Sequence, residues 1–344
     1  MSPTTFSVGF DPRAEQTDRN MAILAGRAFL KQQLRAGRCS LSCHGSDGTP
    51  RFSHSKGHLF AGFFLAQALD SDLDEAERTL LLVRLLSEEV EGRWGYSSRG
   101  YAPGPDDSPY FVDADDTAFA LRTFRQLGLY RSPKSLLHFL RCRWRWTGLG
   151  PRRESGFVTF ATSKRPALAC ETDHAANFDM HPEVNANVFH ALLDTNEQQY
   201  ISAELITRSQ PPDGFWHSFF YPSKFYGTYD FMALIKRLDG FEAQAEKCLR
   251  FLTETQNADG SWGDIGNPYE TALAVRAFAS HTPGGDEVSR GLDFLLAAQN
   301  DDGSWHSDNV IWEFRSDATD IWRSQDVHHV ITTSLCVAAL SCGA

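Results

Sequence analysis

The chain has 344 residues, 42% of them hydrophobic, and a formal net charge of −11. That acidic balance, with no basic cluster to neutralise phosphates, excludes nucleic acid as a partner. No apolar run approaches the length of a membrane span, and the N-terminal Met1-Ser2-Pro3-Thr4-Thr5-Phe6 is no signal peptide. The 7 scattered cysteines show no disulfide framework, which predicts a reducing, cytoplasmic setting.

Taken in order, residues 1–13 read as a flexible tail and 14–344 as one domain. Helical patterning begins near Thr17 and runs to about Leu34. Beyond it the chain repeats itself. Gln256-Asn257-Ala258-Asp259-Gly260-Ser261-Trp262 and Gln299-Asn300-Asp301-Asp302-Gly303-Ser304-Trp305 are near-copies, and Gln210-Pro211-Pro212-Asp213-Gly214-Phe215-Trp216 is a third. Glu91-Gly92-Arg93-Trp94 and Ser155-Gly156-Phe157 are worn versions. In each, Gly makes the turn, the Gln amide reaches backbone groups, and the Trp lays a flat apolar face on the neighbouring repeat.

Apolar, small-residue helices follow the turns, with cores near 55–69, 115–128, 183–194, 228–238, 269–280 and 327–341. More charged, amphipathic helices precede them, near 17–35, 74–89, 133–144, 197–208, 241–255 and 286–298. Helices apolar all round are buried and amphipathic ones face water, so six such pairs predict an all-α, closed (α/α)6 toroid. No stretch reads as a sheet. Three connections, near 95–112, 145–180 and 306–326, are too long for turns and rich in aromatic residues, which marks them as lids or binding segments over the barrel mouth.

One stretch stands apart. Asp113-Ala114-Asp115-Asp116-Thr117 sets three carboxylates at the head of an inner helix. A helix cap needs one carboxylate; three indicate a carboxyl held for chemistry. An Asp among other acids and poorly solvated keeps its proton, because like charge and burial both disfavour ionisation.

Together, this run, the Gln-x-x-Asp-Gly-Ser-Trp turns and the helix pairs resemble class II terpene cyclases, the squalene–hopene cyclase family. The run matches that family's Asp-x-Asp-Asp motif. Tyr226-Gly227-Thr228-Tyr229 resembles its Tyr-Gly-Thr-Trp segment, and Pro182-Glu183-Val184-Asn185-Ala186-Asn187 its Asp-Val-Thr-Gly-His segment, with Asn187 in place of the His. The likeness runs from about residue 55 to the end and covers one toroid, which is most similar to the monodomain meroterpenoid cyclases of cyanobacteria, of the merosterolic acid synthase type. It implies a protonation-initiated cyclase that folds a polyprenyl chain, a farnesylated aromatic acid, into fused rings. The alternative is a linear prenyl diphosphate of the drimenyl or copalyl type. The three long loops would serve as the lid.

The resemblance makes Asp115 the proton donor, with Asp116 and Asp113 holding its network and Asn187 bonding it from the next inner helix. A moving carbocation calls for aromatic faces, and Tyr226, Phe225, Tyr110, Phe111, Trp312 and Trp322 are the candidates. Lys224, Arg51 and Lys56 are candidates for an anionic head group. No cofactor is expected, except magnesium with a diphosphate substrate, and the expected partner is a hydrophobic prenylated small molecule, whose greasy chain is compatible with transient membrane contact. Cys39 and Cys43 followed by His54 and His58 superficially resemble a zinc site, but the gap is short and no ββ segment is expected between the pairs, so no metal is expected.

Three rivals share the toroid or its acids. Prenyltransferase β subunits need an Asp-x-Cys zinc pair, where this chain reads Asp264-Ile265-Gly266. Barrel glycosidases pair carboxylates but are not marked by these Trp turns. Complement-like thioester domains, a non-catalytic toroidal binding module, carry a Cys-Gly-Glu-Gln string that is absent here.

Overall fold

A computed structural model describes residues 12–39, 41–56, 58–69, 72–95, 112–129, 140–145, 155–159, 180–315 and 321–342. The inner helices are α2 (His58–Leu69), α4 (Ala114–Gln126), α5 (Pro182–Leu192), α7 (Lys224–Ile235), α9 (Pro268–Ala279) and α11 (Val330–Cys342). The outer ones are α1 (Pro12–Ala36), α3 (Glu75–Ser87), α6 (Ala203–Arg208), α8 (Glu242–Thr255) and α10 (Asp286–Ala297). The outer helix expected near 133–144 falls largely outside the described residues, as does most of the expected tail. Each inner helix touches two others, in the order α2, α4, α5, α7, α9, α11 and back to α2, so the ring closes.

Side-chain patterning explains the two layers. On α10, Val288, Gly291, Leu292 and Leu295 are buried, a single stripe at helical spacing, while the remaining face is charged. On α11 every residue from Val330 to Leu340 is buried.

The turns between layers repeat one hydrogen-bond scheme. Gln256 Nε2 donates to Gly260 O (3.0 Å) and to Glu287 O of the next outer helix (2.9 Å). Gln210 does the same to Gly214 O and Gln244 O, and Gln299 to Gly303 O and Ala22 O, the last tying the final turn to α1. Trp262 Nε1 donates back to Leu252 O (2.8 Å), and its backbone N–H to Thr271 Oγ1 at the head of the following inner helix (3.0 Å). Gly260 has φ +87°, and a Cβ there would stand 2.4 Å from Arg290 O, so only glycine fits.

Two small sheets depart from the all-helical expectation. Strands β1 (Leu41–His44), β2 (Pro50–Lys56), β5 (Val310–Arg315) and β6 (Ile321–Gln325) form an antiparallel sheet in the order β2-β1-β6-β5, and β3 (Arg143–Arg145) pairs with β4 (Ser155–Phe157). The strands are three to seven residues long, too short for an alternation such as that of Leu41, Ser42, Cys43 and His44 in β1 to mark them in sequence. A ββ hairpin is present at this place, with Cys43 on its first strand and His54 on its second. Burial pushes the Cys39 thiol up to about 11. The His54 and His58 side chains lie outside those described. Among the described residues no cluster of metal-ligating side chains forms, and no helix is long and apolar enough to cross a membrane.

Candidate active site

The first turn of α4 is held from several sides. Asp113 N–H donates to Trp94 O (2.9 Å) and Ala114 N–H to Thr159 O (2.8 Å), which satisfies amides that a helix start leaves open. Asp113 caps the helix, its Oδ1 accepting from Asp116 N–H at 2.7 Å. Thr117 Oγ1 accepts from Trp94 N–H at 3.1 Å, the same contact that Thr271 makes with Trp262. The acid run thus grows out of a repeat turn.

That contact sets a common register for the inner helices. The pairs Trp94–Thr117, Trp216–Thr228, Trp262–Thr271 and Trp305–Thr333 share it, and on α5 Asn185 Oδ1 accepts from Phe157 N–H at 2.7 Å instead. Two residues before each anchor stand Asp115, Glu183, Tyr226, Tyr269 and Ile331. Asp115 and Glu183 therefore occupy equivalent places on adjacent inner helices, where the later repeats put apolar or aromatic residues.

Both carboxyl oxygens of Asp115 are engaged. Asn187 Nδ2 donates to Asp115 Oδ1 (2.8 Å) and to the Asp115 carbonyl (3.0 Å), while the Tyr221 hydroxyl donates to Oδ2 (2.7 Å). Asp113, Asp115 and Asp116 are all buried. Burial raises the Asp115 pKa well above the carboxylate range, the Asp116 charge adds to it, and the bonds from Asn187 and Tyr221 oppose it. Burial and the two neighbouring acids push Asp113 well up, and burial takes Asp116 to about 6 against a hydrogen bond from Asp113. Burial raises Glu183 to about 7, opposed by backbone donors. Its Oε1 accepts from Phe219 N–H (2.8 Å) and Phe220 N–H (2.9 Å), which clamps the loop carrying Tyr221, and its Oε2 is buried without a hydrogen-bond partner.

Aromatic rings gather beside the acid. Tyr221 stacks on Tyr226 (3.8 Å between centroids) and on Phe60 (5.4 Å), and Phe60 meets Phe119 edge-on at 5.1 Å. Tyr226 is thus brought to Asp115 as expected. Phe225 is not: one residue away on the helix, it turns outward onto Phe251 of α8. Lys224 is exposed, with Nζ 5.5 Å from the Phe215 ring, outside this group. Trp312 on β5 lies behind the Tyr221 loop, stacked over Phe220 at 6.3 Å, and Glu313 N–H donates to Phe220 O at 2.8 Å. Trp322 is half-buried on β6, opposite Phe314. Tyr110 and Phe111 lie outside the described residues, as do most of the first two long loops and the side chains of Arg51 and Lys56. The third long loop, 306–326, is largely the β5–β6 hairpin.

Sequence reasoning missed Tyr221, Phe60 and Phe119, and it missed Arg122. Arg122 Nη1 donates to Asn187 Oδ1 at 2.6 Å and to Asp230 Oδ1 at 3.2 Å. Tyr221 has no helical period to flag it. The Arg122–Asp230 pair spans 108 residues of chain and only the closed ring joins it.

A family model described as the squalene-hopene cyclase C-terminal domain matches residues 90–312. The ent-copalyl diphosphate synthase of Streptomyces sp. (strain KO-3988) is 30% identical over 200 residues, covering 54% of this chain and 34% of that protein. The squalene–hopene cyclase of Bradyrhizobium diazoefficiens is 23% identical over 251 residues, covering 63% and 38%. The chain therefore spans between 34% and 41% of the length of the curated relatives it matches. Among solved structures, a protein from Actinoplanes superposes with a TM-score of 0.70 at 20% identity, covering 94% of this chain and 99% of that one. The type II terpene cyclase MstE from Scytonema, in complex with geranylgeranyl dihydroxybenzoate, does so with 0.68 at 16% identity, covering 96% and 99%. Those two likenesses establish the fold.

Proposed function

The chain belongs to the squalene–hopene cyclase C-terminal domain family, and on that premise we propose that it is a class II, protonation-initiated terpene cyclase. One observation carries this reading. Asp115 is a carboxyl whose pKa is raised by burial and by the Asp116 charge, while the two groups bonded to it are donors that favour its conjugate base.

The geometry divides the work between the oxygens. We place the transferable proton on Oδ2, because Asn187 Nδ2 can only donate to Oδ1 whereas the Tyr221 hydroxyl at Oδ2 can donate or accept. The Oδ2–H proton passes to the terminal alkene of the substrate, whose π pair forms the new C–H bond and leaves a tertiary cation. Successive alkenes attack that cation and close rings, and loss of one proton from carbon restores an alkene, so the product has the substrate's mass. As the proton leaves, Asn187, Tyr221 and the N-terminal end of α4 face the new carboxylate. Phe60, Phe119, Tyr221 and Tyr226 would present ring faces, each worth about 1–2 kcal/mol to a desolvated cation.

Similarity supports the substrate class. The solved cyclase that resembles this chain along its whole length holds a prenylated aromatic acid, and a farnesylated or geranylgeranylated dihydroxybenzoate is the substrate we favour. A linear prenyl diphosphate is the second reading, favoured by the relative that is 30% identical. Mass spectrometry of products from both dihydroxybenzoates, farnesyl and geranylgeranyl diphosphate and squalene, with and without magnesium, tests this. A cyclised product of unchanged mass is expected from the parent, with a loss of at least about a hundredfold in Asp115→Asn. Equal cyclisation by the variant would sink the assignment of the acid.

A further inference from the structure

We propose that Arg122 and Asp230 are positioning residues for the Asp115 carboxyl, acting through the Asn187 amide; this rests on the reading of Asp115 as the acid. The chain of contacts is continuous. Asp230 Oδ1 accepts from Arg122 Nη1 (3.2 Å), the same Nη1 donates to Asn187 Oδ1 (2.6 Å), and Asn187 Nδ2 donates to Asp115 Oδ1 (2.8 Å). With its oxygen committed to a guanidinium and its nitrogen to Asp115, the amide has one orientation. A cation pulling on its oxygen also makes its N–H a stronger donor, the polarisation that couples hydrogen bonds in a dry interior.

A structural role accounts poorly for these residues. The Arg122 and Asp230 side chains are 11% and 4% exposed. A buried ion pair is weak support for a fold, since well-packed apolar residues in its place are often neutral or stabilising. Two residues beyond the anchors, where α5 and α7 carry Asn187 and Asp230, the helices α4, α9 and α11 carry buried Phe119, Leu273 and Leu335. The polar members of this layer are the ones that connect to Asp115. His190, 3.4 Å from Asp230 Oδ1, is held neutral by burial, its pKa lowered to about 4, and donates to the Asp230 carbonyl. Arg122 is thus the cation that Asp230 holds in place.

The test removes both charges together, so that neither is left unpaired. In Arg122→Met with Asp230→Leu, the guanidinium that lies over the Phe63 ring, 4.5 Å from its centroid, is replaced by an apolar side chain long enough to cover that ring. The other groups facing Asp115 stay in place: Asp113 and Asp116 on α4, Glu183 on α5, Tyr221 in its loop and Tyr226 on α7. Asp115 protonation is read by infrared spectroscopy of its carboxylic C=O stretch, as the difference from Asp115→Asn across pH. The expected result is a titration midpoint moved to higher pH, with kcat down about tenfold or more on whichever panel substrate the parent consumes and KM unchanged. In an Asn187→Leu background, which should itself move the midpoint upward, the two substitutions should add nothing further.

A midpoint that stays put in the double variant, or in Asn187→Leu alone, overturns the proposal. So does an equal further shift in the Asn187→Leu background, which would mean that the pair acts without the amide. The infrared titration needs no substrate, so it decides the relay even if Asp115-dependent turnover fails and the cyclase reading falls.

Discussion

The later repeats and the earlier ones use the same frame for opposite ends. Around Trp216, Trp262 and Trp305 every turn has its glutamine amide, and the inner helices begin with Tyr226, Tyr269 and Ile331 in the common register. Around Trp94 and Phe157 the glutamine is missing, and the same register holds Asp115 and Glu183. The turn carboxylates of the later repeats and the acids heading the earlier inner helices are tuned in opposite directions. Asp259 and Asp302 accept from Ser261 and Ser304 near the surface, and those bonds hold them below the usual range. Asp113, Asp115, Asp116 and Glu183 are raised by burial. The turn glutamine is absent beside the proposed site, as expected if function draws on stability supplied elsewhere.

The sharpest way to break this comparison is to remove the element that both regions share. Trp262 and Trp94 are fully buried, and each Nε1 donates to a carbonyl of the preceding outer helix, at 2.8 and 2.7 Å. Trp262→Ala and Trp94→Ala should each cost about 3–5 kcal/mol in urea unfolding. A much smaller loss for Trp94→Ala would show that the earlier turn has only the look of the later ones.

The next effect is in pH. A carboxyl whose pKa is raised by folding contributes stability fully present below its unfolded value and lost as pH rises through the folded one. For Glu183, raised from 4.5 to about 7, that loss is about 3 kcal/mol between pH 4 and 8, at about 1.4 kcal/mol per unit. Glu183→Gln, which keeps an acceptor for Phe219 and Phe220, should flatten the fall in stability between about pH 4.5 and 7. The acids of the later turns work the other way: lowered, they contribute above their unfolded pKa and lose it as pH falls. Thermal unfolding of parent and variant from about pH 2 to 8 measures both limbs. An unchanged slope between about pH 4.5 and 7 in Glu183→Gln would refute the assignment of that limb to Glu183.

What could be read from the sequence follows the range of the interactions. The Gln-to-Trp turns were legible because Gln256 and Gly260 are four residues apart and the copies repeat. The ring of inner helices followed from uniform burial, and Asp115, Asn187 and Tyr226 came from motifs within single helices. Phe225 and Lys224 failed for a rotational reason. On a helix, one or two residues from Tyr226 is a turn of about 100° or 200°, which aims them at the outer layer and at water. The β1–β6 pairing joins residues such as Ser42 and Gln325, far apart in the chain, and Arg122–Asp230 is equally non-local. No periodicity announces such pairs.

The smallest effect asks whether the worn turn can be mended. Glu88 stands six residues before Trp94, as Gln256 stands before Trp262, and Gly92 has φ +81° where Gly260 has +87°. Glu88→Gln would restore the amide. The backbones differ, however: Glu88 is helical, with ψ −2°, whereas Gln256 is extended, with ψ 129°. An amide launched from the helical conformation is aimed differently from the one that reaches Gly260 O and Glu287 O. Glu88→Gln should therefore gain no more than about 0.5 kcal/mol, while Gln256→Ala, which strips two carbonyls of their donor, should lose about 1–3 kcal/mol. Denaturant midpoints for the two variants decide it. A gain at Glu88 as large as the loss at Gln256 would mean that the backbone can re-form the full turn, and that the earlier repeat lacks the glutamine by side chain alone.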